Sequence, residues 1–371
     1  MNAIPNIFDF ATSELSQDAA LAYILSWADP QFSESHAALN ELGENLLRAL
    51  VASAAAAMSK PDLLEGVAIE SVKARTQRER IDVVVEINDT VFLIIEDKTG
   101  TEEHSKQIDR YIEKAKTFET KDGNPWSQVL AVYVKTGNES LMRQTKSAPC
   151  GIFLRDDLLA VLGQTKLTDN AIVEEFRQYL QDWSDCTQSF KEPGWVDSND
   201  KWDGTEGLYL AIQKWLGDQD ENSDADWQYV ANAQGGLLCF FFHGHTFEAF
   251  RCRIYLQIDK GSRFAIRVCN VRDDDDKYIK VNGDLRWDLF EVVKRVAGRS
   301  CFDELSVSKV GRAGGYTASL AEFNFGDSGD TFLATDQANK LDMAVTQQRL
   351  ALAMKFATDF CAEPAPVEIE A

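Results

Sequence analysis

The 371-residue chain contains no run approaching the roughly 18 apolar residues of a membrane span. Its first ten residues lack the basic-then-apolar order of a signal peptide. A soluble, cytoplasmic protein with no membrane partner is the expectation. Seven cysteines, Cys150, Cys186, Cys239, Cys252, Cys269, Cys301 and Cys361, form no Cys-x-x-Cys pair. Their odd number suits reduced thiols rather than a disulfide framework. Positive charge is short: 38 Lys and Arg face 60 Asp and Glu, a net charge of −22. Such a chain repels a polyanion at long range, so nucleic-acid binding needs local cations or a recruiting partner. Gly311-Arg312-Ala313-Gly314-Gly315 lacks the Lys-Ser/Thr of a P-loop. The Asp273-Asp274-Asp275-Asp276 run lacks EF-hand spacing. His243-Gly244-His245 offers two imidazoles without a nearby third metal ligand.

What is present centres on residues 80–98. Ile81 to Ile87 and Val91 to Lys98 are two β-branched runs separated by Asn88-Asp89-Thr90, the pattern of a hairpin. Pairing symmetric about Asp89 sets Asp82 across from Glu96 and Arg80 across from Lys98. Directly paired residues share a face, and alternation puts Glu96 and Lys98 on that face while Ile95 and Asp97 point away. A two-residue turn would instead pair Asp82 with Ile95 and invert the pattern. Two carboxylates about 5 Å apart at Cβ repel unless a cation or proton lies between them. Hard oxygens of this kind suit Mg²⁺ or Mn²⁺, with Lys98 orienting or deprotonating a water, or offsetting charge on a phosphorus. A solvated hairpin laced with surface ion pairs is the alternative.

Glu102 to Phe118 has helical periodicity, with Gln107, Tyr111 and Lys114 on one stripe. Asp82, Glu96-x-Lys98 and Gln107-x-x-x-Tyr111, in this order, resemble the PD-(D/E)XK nuclease superfamily in its RecB-like form, over roughly residues 8–155. The opening Thr12-Ser13-Glu14-Leu15-Ser16-Gln17-Asp18 and Ala22 to Trp27 resemble a bacterial group within it. One departure is Ile81 where a proline commonly precedes the first acid. The resemblance implies an α/β restriction-endonuclease-like core, α-β-β-β-α-β with a mixed sheet. Leu39 to Met58, Gly66 to Thr76, the hairpin, the Gln/Tyr helix and Val129 to Val134 supply it, followed by Gly151 to Leu154 and a helix from Asp156 to Leu162.

By the same resemblance, Asp82, Glu96 and the backbone carbonyl of Asp97 hold a Mg²⁺ or Mn²⁺ ion, and Lys98 is the catalytic lysine. Gln107 and Tyr111 position phosphate or the attacking water. Glu14 adds an acid from the leading helix, with Asp18 as companion and Glu44 as rival; Glu14 equally suits an ordinary helix start. Lys73, Arg75, Arg78 and Arg80 lead up to Asp82 as a basic lip for nucleic acid, or as charges protecting a strand edge. The scattered cysteines argue against the iron–sulfur cluster of some RecB-like relatives. The implied function is a metal-dependent nuclease, on DNA by preference, in bacterial defence or DNA maintenance. The rival is a non-catalytic binding or scaffold module of such an assembly, and a homodimer or protein partner stays open.

We expect the nuclease-like domain over residues 1–183, a connector over 184–203, an α+β accessory domain over 204–362 and an acidic tail over 363–371. In the accessory domain, helix is expected at Leu208 to Trp215, Leu285 to Val296 and Gln337 to Cys361. Strands are expected at Gly236 to Phe242, Thr246 to Ile258, Arg263 to Val271 and Gly314 to Phe325. Arg251, Arg253, Tyr255 and Gln257 alternate with Phe250, Cys252, Ile254 and Leu256, as in a sheet with one wet face. Tyr255, Arg251 and Arg253 could meet nucleic acid there, although a wet face without that role is the simpler reading.

Overall fold

The computed structural model describes residues 6–11, 13–60, 63–100, 106–141, 149–165, 170–198, 202–231, 235–259, 262–272, 277–309, 315–326 and 331–364. The chain divides into two compact units, Met1–Glu139 with Arg143–Cys186, and Ser140–Met142 with Thr187–Ala371. The Asp273–Asp276 run, residues 311–314, Thr12, 101–105 and the end of the acidic tail lie outside the described residues.

The first unit runs α1 (Glu14–Ser26), α2 (Ala37–Ala57), β1 (Val72–Arg78), β2 (Ile81–Ile87), β3 (Val91–Lys98), α3 (Gln107–Ala115), β4 (Gln128–Lys135), β5 (Gly151–Leu154), α4 (Arg155–Leu162) and α5 (Ala171–Gln188). The strands form one mixed sheet in the order β1-β2-β3-β4-β5, antiparallel from β1 to β3 and parallel from β3 to β5. β3 is central and buried along its whole length, because helices cover both faces, and so its sequence is a near-continuous apolar run. Val83, Val85, Leu93, Ile95, Val132 and Val134 pack with α1 and α2 on one side. Val84, Phe92, Ile94 and Tyr133 pack with Ile108 and Ala115 of α3 on the other.

The hairpin has the three-residue loop. Val83 pairs with Ile95 and Ile87 with Val91. Asn88 and Asp89 both have positive φ, +51° and +47°, a conformation that Asn and Asp tolerate better than other side chains. The Asn88 amide also accepts from Glu70 N and Ser71 N and donates to Ala68 O, tying the lead into β1 to the turn. The expected strand from Gly66 therefore starts only at Val72, and the helix expected from Glu102 is observed from Gln107.

The second unit runs α6 (Trp202–Gln219), β6 (Asp226–Val230), β7 (Leu237–Phe247), β8 (Cys252–Asp259), β9 (Arg263–Cys269), α7 (Gly283–Ala297), β10 (Leu305–Lys309), β11 (Thr317–Phe325) and α8 (Met343–Cys361). Its antiparallel sheet has the order β10-β11-β9-β8-β7-β6. Cys252, Ile254 and Leu256 enter the core with α6, α7 and α8. Several expectations are corrected. Thr246 to Ile258 is not one strand, because a 3-10 turn at Glu248–Phe250 and a left-handed Arg251 separate β7 from β8. β6 and β10 were not anticipated. Residues 337–342 precede α8, in a turn closed by a Thr335 to Leu341 bridge, and the segment expected as a connector begins inside α5. No helix among the described residues is long and apolar enough to cross a membrane.

Gly43 in α2 lets that helix approach α1: a Cβ there would lie 2.6 Å from Ala28 N and 2.8 Å from Ile24 O. Gly43→Ala is expected to cost about 1–3 kcal/mol through overpacking, read by denaturant unfolding. Gly217→Ala in α6, where the added Cβ meets nothing, is the control and should be neutral or stabilising.

Candidate active site

Polar residues appear in β3 only at its carboxyl end, where Glu96, Asp97 and Lys98 are all buried. The register carried one step past Val83–Ile95 sets Asp82 opposite Glu96. Asp82 Oδ2 accepts from Asp97 N at 3.2 Å, so the hairpin itself fixes this carboxylate. Lys98 Nζ lies 2.6 Å from Glu96 Oε1, 3.1 Å from Asp97 O, 3.4 Å from Asp82 Oδ2 and 4.0 Å from Glu14 Oε2. Four oxygens from β2, β3 and α1 thus surround one positive charge.

The charges carry visible strain. Burial first, then the charge of Asp82, raises the Glu96 carboxyl to about 7 against the pull of Lys98. Burial alone would lower the Lys98 ammonium, but the contact with Glu96 and the charges of Glu96, Asp82 and Glu14 outweigh it and push it up. Lys98 is therefore protonated at neutral pH. Both Glu96 carboxylate oxygens are shielded from solvent and accept no hydrogen bond of good geometry, so the ion pair with Lys98 answers their charge. Two carboxylates and a main-chain carbonyl form a hard-oxygen set that fits Mg²⁺ or Mn²⁺, which bind through a few protein oxygens and keep several waters. No group of three His, Cys, Asp or Glu side chains among the described residues converges as an all-side-chain metal cage.

α1 contributes on two levels. Glu14 Oε1 accepts from Thr99 N at 3.3 Å, which places it at the mouth of the cluster. Its neighbour Ser13 makes no side-chain cap bond. Asp18, one turn on, accepts from Gln77 at 3.0 Å and also interacts with the Asp97 carboxyl. Burial, followed by the charge of Asp82, raises it to about 6. Glu44 instead pairs with Arg48 at 2.7 Å within α2. The Asp97 side chain turns away from the cluster: Gln17 donates to its Oδ1, and Thr136 Oγ1 donates to Gln17 Oε1 at 2.8 Å. Burial holds the Asp97 carboxyl well above the carboxylate range. Gln17 and Thr136 escaped sequence reasoning because their partners are 80 and 119 residues away. The available signal was Gln17 lying one turn from Glu14, next to Asp18, at the start of α1.

From the opposite face of the sheet, α3 brings Gln107 and Tyr111. Gln107 Nε2 donates to Tyr111 Oη at 2.9 Å, and Tyr111 Oη donates to Arg80 O. Burial raises the Tyr111 phenol, and the charges of Glu96 and Asp82 add to this, so the ring is within electrostatic range of the carboxylates. Lys114 reaches Glu79 at 2.6 Å instead. The expected basic lip divides. Arg78 pairs with Glu86 and lies over the Phe118 ring at 4.7 Å, and Arg75 approaches Glu86 at 3.5 Å. Lys73 and Arg80 are exposed.

A protein-family comparison adds a separate finding: the model of the PD-(D/E)XK nuclease superfamily covers residues 5–192. The chain belongs to this superfamily. Neither the curated proteins nor the solved structures give a significant match. PD-(D/E)XK nucleases generally hydrolyse phosphodiester bonds and typically use divalent metals such as Mg²⁺. The matched span includes Glu14, Asp82, Glu96, Lys98, Gln107 and Tyr111.

The raised carboxyls give a testable pH dependence in the metal-free protein. The Asp18 carboxyl moves from 3.8 to about 6, so the native state holds that proton more tightly than the unfolded chain, and stability falls as pH rises across that window. Asp18→Asn in EDTA should raise the melting temperature relative to wild type at pH 7–8, with the gain vanishing near pH 4. An equal gain at both pH values would refute the assignment.

Proposed function

We propose that this chain is a metal-dependent nuclease that hydrolyses phosphodiester bonds in nucleic acid, DNA by preference, in bacterial defence or DNA maintenance. The carrying observation is the ring of oxygens from Glu96, Asp82, Asp97 and Glu14 around Lys98. Asp82, Glu96 and the Asp97 carbonyl are the residues that would hold Mg²⁺ or Mn²⁺. When bound, such an ion acidifies water and offsets charge on the phosphate.

The remaining work falls to the protein. A water oxygen forms a bond to phosphorus as the opposite phosphorus–ester oxygen bond breaks; the attacking water gives up a proton to solvent and the leaving oxygen takes one from solvent. Lys98 is held charged by its neighbours, which favours a fixed cation for the phosphoryl oxygens over a proton acceptor. Tyr111 and Gln107, locked to each other and to the Arg80 carbonyl, orient water or phosphate from the α3 side. Lys73 and Arg80 supply exposed charge for backbone phosphates.

The test is cleavage of labelled single- and double-stranded DNA and RNA at low salt with Mg²⁺ or Mn²⁺. Wild type should cut, EDTA should stop it, and Lys98→Ala should lose about 100-fold or more, in line with removal of one transition-state donor. Asp82→Asn should shift the metal midpoint upward and weaken the metal-induced rise in melting temperature. Undiminished cutting by Lys98→Ala would remove the site. Metal binding without cutting on any polymer would favour the non-catalytic scaffold, a reading supported by the net charge of −22 and by the tie of Arg75 and Arg78 to Glu86.

A further inference from the structure

The face of the second sheet opposite its helices carries a groove of about 600 Å³, within the range of small-ligand sites. Its floor is polar and buried. Gln257 and Asp259 are 3% and 7% exposed, Gln257 Nε2 donates to Asp259 Oδ1, and the Cys239 thiol donates to the same oxygen at 3.4 Å. Beside them Phe241 and Tyr255 have ring centroids 6.1 Å apart. Tyr255 pairs across the ladder with Arg267, whose Nε is buried without a hydrogen-bond partner and whose Nη2 donates to Thr317 Oγ1 at 3.4 Å. Tyr255 Oη donates to Gln257 Oε1 at 3.4 Å and Asp259 Oδ2 faces Arg263 at 3.7 Å, so the floor is an internally paired polar surface; buried polar groups are costly unless they pair, and the unpaired one beside the two aromatic rings is Arg267 Nε.

Cations continue along the same strands. Arg253 stands two residues from Tyr255, about 7 Å along β8, and pairs with Cys269. A second cavity of about 420 Å³ opens there, lined by Arg251, Arg253, Arg272 and Tyr278. Counter-charges are present: Asp224 pairs with Arg253, Asp259 and Glu322 pair with Arg263, and Glu248 lines the second cavity. Even so, five arginines gather on one sheet region of a chain with a net charge of −22.

We propose that this face binds a nucleotide unit, with the base against Phe241 and Tyr255 over the Gln257–Asp259 floor and phosphate at Arg267, and that the Arg253–Arg251 extension makes the occupant single-stranded nucleic acid. Aromatic platforms with guanidiniums alongside bind single strands by stacking and backbone contact. This deepens the nuclease reading, on which the choice of polymer rests, by assigning substrate capture to the second unit.

The experiment uses the full chain in EDTA, where cutting is silent. Fluorescein-labelled 12-nucleotide single-stranded DNA and RNA, a duplex of the same sequence, and free nucleoside mono- and triphosphates are titrated by anisotropy and competition. Wild type should prefer a single strand to the duplex. Arg253→Gln with Arg267→Gln should weaken single-strand binding at least 10-fold with an unchanged melting temperature, and flatten the dependence of affinity on salt. If Arg267→Gln disturbs folding, Arg253→Gln with Arg251→Gln serves, since both side chains are exposed. Photocrosslinking of a 5-iodouracil strand to wild type should label the peptides carrying Phe241 or Tyr255.

Free nucleotide bound as tightly as the strand would overturn the polymer assignment. Unchanged affinity in folded variants, crosslinks confined to the first unit, or capture only of an acidic peptide would overturn the site. The two readings separate cleanly: cleavage with unaffected variant binding sinks this inference alone, whereas weakened variant binding without cleavage by wild type sinks the nuclease alone.

Discussion

One buried ammonium holds the first unit's chemistry in place. Glu96 and Asp82 converge at the end of β3 with the Asp97 carbonyl, in surroundings where two uncompensated carboxylates would repel each other and resist ionisation. Lys98 supplies the compensation, and the cost of the arrangement persists in the raised Glu96 carboxyl. A second cation would relieve that cost and draw stability from its own binding.

The location of the cluster follows from the sheet. β3 is sealed by helices on both faces over its length, so polar side chains find room only where the strand ends. In open α/β sheets that carboxyl end is also where ligands bind. α1 reaches it from one face with Glu14 and Asp18, and α3 from the other with Gln107 and Tyr111. Asp97, sandwiched on the α1 side, is pinned by Gln17 and Thr136. This contact locks the peptide whose carbonyl faces Lys98, so a buried side chain sets the geometry of the atom that Lys98 contacts.

What was legible in the sequence was local. The Asp82–Glu96 register could be read because seven- and eight-residue apolar runs flank a loop whose Asn and Asp accept positive φ. The Gln107–Tyr111 contact could be read because it lies within one helical turn. What failed was long-range or short. The Gln17–Asp97 bond spans 80 residues, and pattern reasoning has no access to such pairs. Glu86 lies directly across from Lys73 in the ladder, yet it draws in Arg75 and Arg78, a choice made by side-chain reach and by the Phe118 ring rather than by register. β6 and β10 are five-residue edge strands, too short for alternation to stand out from turns. The break at Glu248–Phe250 has only Glu248 and Ala249, both poor strand formers, to mark it within an otherwise strand-forming run.

The charge distribution ties these points together. A chain with a net charge of −22 repels a polyanion at distances beyond the contacts, whereas under the proposed readings exposed Lys73 and Arg80 in one unit, and the arginines of β8 and β9 in the other, would attract it at contact. Salt acts on these two effects differently. With a Debye length near 8–10 Å at physiological ionic strength, modest salt first screens the diffuse repulsion, and only higher salt erodes the close guanidinium–phosphate pairs and their counterion release. Association governed by both terms passes through an optimum in ionic strength instead of declining from the lowest salt. An evenly basic nuclease, attracted at every distance, has no such optimum. The position of that optimum therefore reports how much of the binding is carried by a few local cations working against the charge of the whole chain.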